Sequence, residues 1–277
     1  MKVNIYSHNE VIMPIEKAVV EINSIEKMYG FGVYENLKIR KNIYYFIDNH
    51  IDRLFRSASQ IRLIHNYSIE RVKKAAIDLM DQIEEESYNL KILLLGGVNV
   101  DDVQLIIIPV APFYPLKTWY RDGVKVMSFE YERWMPNVKS LNMLPSYYYY
   151  SQAKKQDCYD ALFIDKDGNV REGSRTNFYA MKGNAIYSPP KKDVLEGVTM
   201  MTIERAIKKS NYEISYEPIP LATLGNFDSL FLSSTSTKII PIRKVDHSDF
   251  KIRDPLLNLI RAYNESLTRS KGILNNI

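Results

Sequence analysis

Hydrophobic positions along the chain change period several times, and each change marks an element. Apolar runs at 3–6, 33–39, 90–95 and 103–110 read as strands, and 42–46 returns as a hairpin partner of the second. Ile51, Leu54, Phe55, Ala58 and Ile61 recur at helical spacing, which predicts a helix over 48–62 with Asp48 as its N-cap. A second helix is predicted over 69–85. Two prolines in Ala111-Pro-Phe-Tyr-Pro-Leu-Lys117 then interrupt the rhythm and mark the best candidate for a domain boundary. Beyond it the pattern predicts strands at 124–131, 176–181, 185–188 and 229–232, and helices over 145–156, 199–210 and 255–268. A hairpin is predicted to pair 161–165 with 169–172 through Lys166-Asp-Gly168, where glycine supplies a positive φ. The sum is two α+β domains, residues 1–114 and 124–277, joined by a linker over 115–123. Ligands are expected at the seam of such domains.

Composition narrows the function classes. A net charge of +4 over 277 residues, with no long Lys/Arg run, gives no nucleic-acid or lipid patch; pairs such as Lys73-Lys74 fit solvated helix faces. One cysteine, Cys158, allows no internal disulfide, and His8, His50, His65 and His247 are too scattered for zinc spacing. The first residues carry no apolar core of signal-peptide length, and no apolar run approaches a membrane span. A reducing, cytoplasmic setting is expected.

Four local patterns could carry chemistry. Leu195-Glu-Gly-Val-Thr199 leads into a helix whose first N–H groups have no intrahelical partners, which suits a phosphate; a plain threonine cap explains it equally. Ser233-Ser-Thr-Ser-Thr237 follows an apolar strand and can present hydroxyl and backbone donors to an anion, or form an ordinary turn. Lys139 is a Schiff-base former if a pocket holds it, and otherwise a surface charge. In Arg171-Glu-Gly-Ser-Arg-Thr-Asn177, Glu172 is either a proton-holding partner for a ring nitrogen or half of a strand-end ion pair.

Taken in order, these segments resemble the class IV (fold type IV) pyridoxal-phosphate enzymes: branched-chain aminotransferases, D-amino acid aminotransferases and aminodeoxychorismate lyases. The likeness runs from Tyr29 to Val245. Tyr29-Gly-Phe-Gly-Val-Tyr-Glu-Asn-Leu is similar to the early strand motif, and His50-Ile-Asp-Arg-Leu-Phe-Arg-Ser-Ala58 to the helix whose arginine binds the cofactor phosphate, here Arg53. Lys139-Ser-Leu-Asn-Met-Leu144 is similar to the Schiff-base lysine segment, and Glu172-Gly-Ser-Arg-Thr-Asn-Phe178 to the segment whose glutamate meets the pyridine nitrogen. The 195–199 and 233–237 segments resemble the two phosphate-binding loops, with Ile240-Pro-Ile242 following.

The resemblance implies a two-domain α+β fold, with a small N-terminal α/β domain and a larger C-terminal β-barrel-like domain with helices. It implies pyridoxal 5′-phosphate held by Arg53, Lys139, Glu172, Val198, Thr199, Ser234 and Thr235, with Lys139 also the proton-transfer base. It implies a homodimer acting on an amino acid and a 2-oxo acid, with no nucleic-acid or membrane partner. Phe31-Gly32 and Ser234 depart from the usual residues of their motifs, but no group the chemistry requires is missing. Substrate identity is left open. Asn89-Leu-Lys91 stands where branched-chain enzymes carry Tyr-x-Arg, and Leu95-Gly-Gly-Val98 lacks an arginine. Tyr34, Gly96, Tyr131 and Ser236 are the candidate substrate-pocket residues, although the aromatic ones suit a core equally and the glycines a bulge. A lyase acting on aminodeoxychorismate, or a non-catalytic protein of the same fold, are the competing readings.

Overall fold

The computed structural model describes residues 3–20, 24–208, 211–267 and 271–273. The chain divides into two compact units: Met1–Phe113 with Val138–Asn142 and Ser270–Ile277, and Tyr114–Asn137 with Met143–Arg269.

The first unit is built on a seven-stranded sheet. Its strands are β1 (Ile5–His8), β2 (Val11–Pro14), β3 (Gly32–Arg40), β4 (Ile43–Tyr45), β5 (Ser87–Leu95) and β6 (Gln104–Val110), with residues 271–273 added beside β4. The spatial order is residues 271–273, β4, β3, β5, β6, β1, β2. Strands β3 and β5 pair antiparallel over their full lengths, from Gly32↔Leu95 to Arg40↔Ser87. Two-residue alternation sends Val33, Leu37 and Ile39 to one face of β3, where they are fully buried. Packed against that face is α2 (Ile47–Gln60), while α3 (Ile69–Asp81) packs on α2 and on β1 and β6; both follow the short α1 (Ile25–Met28). Helix α2 buries Ile51, Leu54 and Ala58 as the spacing predicts. Asp48 is not its N-cap, however: Phe46 holds that place in left-handed backbone at φ 58° without a side-chain cap. Asp48 pairs instead with Lys73 on α3 at 2.5 Å, and as a first-turn acid it still favours the helix dipole. Helix α3 stops at Asp81, short of the predicted 85.

The second unit carries α4 (Lys117–Asp122), β7 (Val124–Glu130), α5 (Leu144–Lys155), β8 (Asp160–Ile164), β9 (Asn169–Gly173), β10 (Asn177–Lys182), β11 (Ala185–Ser188), α6 (Val198–Ile207), β12 (Glu213–Tyr216), β13 (Ile219–Pro220), β14 (Ser229–Ser234), β15 (Lys238–Val245) and α7 (Asp254–Leu267). Its sheet runs β12-β11-β10-β14-β15-β7-β8-β9-β13, and β9 pairs back to β10, which closes six strands into a barrel-like ring. Alternation again explains the packing. Phe178, Ala180, Leu230 and Leu232 join one core cluster with Val126, Leu162 and Ile240. Their neighbours Tyr179, Met181 and Phe231 face the other way and pack with Met200 and Ile203 of α6 and Leu256 and Leu259 of α7. The predicted hairpin is present, with Gly168 at φ 81°. The predicted helix ends at 210 and 268 lie outside the described residues.

Candidate active site

Site residues fall within each unit, and the first unit's set begins with an anomaly of pattern. Glu35 occupies a core position of β3 between Val33 and Leu37 and is 0% exposed. Burial of a lone carboxylate is strongly unfavourable, so partners must be present. They come from one face of α2, where His50 and Arg53 stand three residues apart. Arg53 Nε donates to Glu35 Oε1 at 2.6 Å and Nη2 to Oε2 at 2.7 Å, a bidentate fork, while His50 Nδ1 lies 2.7 Å from Oε2. Burial pushes the Glu35 carboxyl up, but Arg53 and then His50 outweigh it and hold it well below the usual carboxylate range. Burial lowers His50, and the opposing pull of Glu35 does not restore it.

Lys139 reaches this same unit on the returning segment Val138–Asn142. Ser140 bridges to Val33, the Leu141 N–H donates to the Gly32 carbonyl at 2.9 Å, and the Tyr34 N–H donates to the Lys139 carbonyl at 3.0 Å. The Lys139 N–H donates to Ser57 Oγ on α2 at 3.2 Å. With its backbone fixed on both sides, the half-buried side chain places Nζ 4.5 Å from the Tyr34 ring centroid. No carboxylate among the described residues pairs with it. That is unlike an ordinary surface lysine. Gly96 lies close to Phe31, whose ring would stand 2.3 Å from an added Cβ, so its missing side chain serves the packing of Phe31.

In the second unit Glu172 ends β9 nearly buried. Arg133 Nη1 donates to its Oε1 at 2.8 Å and the Leu195 N–H donates to its Oε2 at 3.1 Å. Asn137 Nδ2 holds the carbonyls of Lys191 and Val194 at 2.7 and 2.6 Å, and Asn177 Nδ2 holds that of Leu195 at 2.8 Å. These amides fix the irregular segment that leads to α6. Arg171 pairs with Asp165 and Asp193 rather than with Glu172.

Helix α6 begins at Val198 with Gly197 as N-cap and no side-chain cap, so Thr199 is inside the helix and the threonine-cap reading fails. Val198 and Thr199 are buried. A Cβ on Gly197 would stand 2.3 Å from Asn177 Oδ1, so any larger residue must displace the cap or that amide. The turn 235–237 joins β14 to β15. Ser234 Oγ lies 2.7 Å from Thr237 Oγ1 and accepts the Thr237 N–H at 3.2 Å, so this hydroxyl shapes its own turn. Thr237 is held further by Tyr159 and by Tyr120, leaving Thr235 and Ser236 half-buried at the turn. Tyr131 packs at 4.9 Å against Phe163 and 5.3 Å against Tyr149, an aromatic cluster rather than a lone pocket wall.

A cavity of about 230 Å³ in this unit includes Arg133 and Glu172 in its lining. The larger one, about 620 Å³, is lined by residues between Leu221 and Arg253 and contains none of the site residues. Among the described residues no cluster could hold a metal ion, and no helix is long and apolar enough to cross a membrane.

Sequence reasoning assigns no role to Glu35, His50, Arg133, Asn137 or Asn177. For the first two a signal exists: a carboxylate at a core position of an alternating strand, and a histidine on the apolar face of a helix, one turn from an arginine. Arg133, Asn137 and Asn177 lie in irregular or strand-end backbone and give none.

The family model described as amino-transferase class IV matches residues 32–245. D-alanine aminotransferase of Bacillus licheniformis is 26% identical over 247 residues, covering 86% of this chain and 87% of that protein. The D-alanine aminotransferase of Staphylococcus aureus (strain N315) is 28% identical over 252 residues, with 87% and 89% covered. Among solved structures, the T.th. branched-chain amino acid aminotransferase with pyridoxamine 5′-phosphate matches with a TM-score of 0.90 at 20% identity, covering 99% of this chain and 100% of that one. The Escherichia coli branched-chain amino acid aminotransferase matches with a TM-score of 0.87 at 21% identity, covering 99% and 100%. At these identities the structural matches speak for the fold.

Proposed function

The chain belongs to the amino-transferase class IV family, and from that premise we propose that it moves an amino group between an amino acid and a 2-oxo acid, with pyridoxal 5′-phosphate as cofactor. The observation that carries the reading is Lys139: a half-buried amine, fixed through its backbone and resting on Tyr34, with no carboxylate partner among the described residues. The chain's donors fit the cofactor. A phosphate needs concentrated N–H donors, and within the second unit the side-chain-free cap of α6 offers them; Arg53, in the first unit, is assigned to the phosphate as part of the same proposal.

When bound, pyridoxal phosphate supplies an aldehyde that condenses with amines and a ring that accepts the electron pair left when a Cα–H bond breaks. In this reading Lys139 Nζ would hold the aldehyde and would serve as the base that takes and returns the Cα proton of the substrate. Glu172 accepts from the ring nitrogen and so favours its protonated form. Arg53, Thr199 and Thr235, with the N–H of Val198 and the turn begun by Ser234, would hold the phosphate. Tyr34 and Ser236 border the substrate.

A homodimer in the cytoplasm, with no nucleic-acid or membrane partner, belongs to the same reading; the exposed Leu144, Tyr147 and Tyr148 of α5 support a protein contact there. Light scattering on the purified protein is expected to give twice the chain mass. To test the activity, the protein loaded with pyridoxal phosphate is incubated with D- or L-amino acids and 2-oxo acids, D-alanine and the branched-chain amino acids first. New amino acid formed only when a 2-oxo acid is present supports transamination. Pyruvate released from aminodeoxychorismate without an acceptor would replace it by the lyase reading.

A further inference from the structure

The geometry points to Arg133 as a positioning residue for the reaction: by holding Oε1 of Glu172 it keeps that carboxylate an acceptor, so that whatever faces it must be a donor. This rests on Glu172 meeting the ring nitrogen of the cofactor, as proposed above.

Arg133 lies in the irregular segment after β7, and Glu172 on β9; no local spacing couples them, and the fold alone brings the guanidinium to the carboxylate. The two oxygens of Glu172 each receive a donor, Arg133 Nη1 at 2.8 Å and the Leu195 N–H at 3.1 Å. A protonated carboxyl would set its own O–H against one of these donors and lose a bond in a buried place. The ionised form keeps both. Its remaining lone pairs then accept only from a partner that brings a proton, such as a protonated ring nitrogen.

The Leu195 donor is not loosely held. Leu195 is fixed through its own carbonyl by Asn177, and the preceding residues by Asn137. The other charged groups facing the cavity beside the pair are Glu132, Arg171, Lys192 and Asp193. Arg171 is engaged by Asp165 at 2.8 Å and Asp193 at 2.5 Å, and Glu132 accepts the Lys166 N–H at 3.0 Å. Arg133 is a cation in direct contact with Glu172 Oε1. Without its charge, the desolvation of a carboxylate only 4% exposed would favour the neutral acid. A neutral Glu172 would donate to the ring nitrogen instead of accepting from it, and the electron-accepting form of the ring would be lost.

The test compares Arg133→Gln, Arg133→Lys, Glu172→Gln and the double variant R133Q/E172Q with wild type, all loaded with pyridoxal phosphate. For R133Q, kcat is expected to fall on the order of 100-fold while KM for the donor and the Kd of the cofactor stay within about fivefold, the pattern of an interaction that acts on the chemical step. R133K, which keeps the charge but not the planar guanidinium, should recover about tenfold of that loss. Adding R133Q to E172Q should change little, because the arginine acts through the glutamate. Without substrate, the pH titration of the bound cofactor's visible absorbance should move in the same direction in R133Q and E172Q, which a merely structural arginine would not produce. If R133Q does not fold, R133K decides through the same titration and kcat. Wild-type kcat and titration in folded R133Q, or in R133K where that decides, overturn the role of Arg133 while leaving the transaminase intact. A wild-type protein that neither binds the cofactor nor transaminates overturns the function itself.

Discussion

Three buried side chains, Glu35, His50 and Arg53, concentrate the consequences that a single atom can have. Replacing Glu35 by Gln leaves the Arg53 guanidinium without its carboxylate in a site 5% exposed. Breaking one side of a buried pair in this way costs roughly 3–5 kcal/mol, to be read as a lowered midpoint in urea. Acid should also loosen the protein in two stages. His50 is lowered by burial, so the folded state resists binding the proton that an unfolded histidine takes up near pH 6.5. Its contribution is therefore present above that pH and is lost as the pH falls, with a slope of at most about 1.4 kcal/mol per pH unit for the one proton. Glu35, held down by Arg53 and His50 against its burial, adds a second loss that starts near its ordinary value of 4.5 and continues below it. Urea midpoints across pH 7 to 5 should flatten in His50→Asn, whose amide can still face Glu35; His65, also lowered by burial, keeps a smaller slope. An unchanged slope would remove His50 from this account. None of these pairings is legible in sequence, because an ion pair between a strand and a helix is set by tertiary register, whereas Lys139 and Glu172 stand out through their motifs.

Elements are the most legible level. Apolar runs locate β3, β5, β6 and β10, and the 3.6-residue period locates α2 and α3. The start of α2 escapes the pattern because Phe46 takes a left-handed conformation that a capping argument does not anticipate. The alternation at 219–220 and 248–249 is too short to carry a strand signal, and those pairings depend on neighbours far along the chain. At α6 the element and its chemistry meet. Gly197→Ala would bring a Cβ within 2.3 Å of Asn177 Oδ1, so the cap or the amide must shift. Cofactor affinity is expected to weaken roughly tenfold, about 1.4 kcal/mol, by equilibrium dialysis. Gly225→Ala, where an added Cβ meets nothing within 4 Å, should leave the affinity unchanged. Equal affinities for both variants would show that the α6 terminus does not hold the phosphate.

For the whole molecule the central claim is that a two-unit α+β chain of the class IV family uses Lys139 on pyridoxal phosphate. Fold and family are legible because several segments in fixed order each carry a chemical demand. The choice of donor and acceptor is not, since pocket shape depends on side chains such as Phe31 beside Gly96 that no motif ranks. The most direct measurement is the visible absorbance of the purified protein with pyridoxal phosphate, in wild type and in Lys139→Ala. The account predicts a band in wild type that bleaches when an amino donor is added and is absent from the variant. A variant that keeps the wild-type band, or a wild type that shows none, would contradict it.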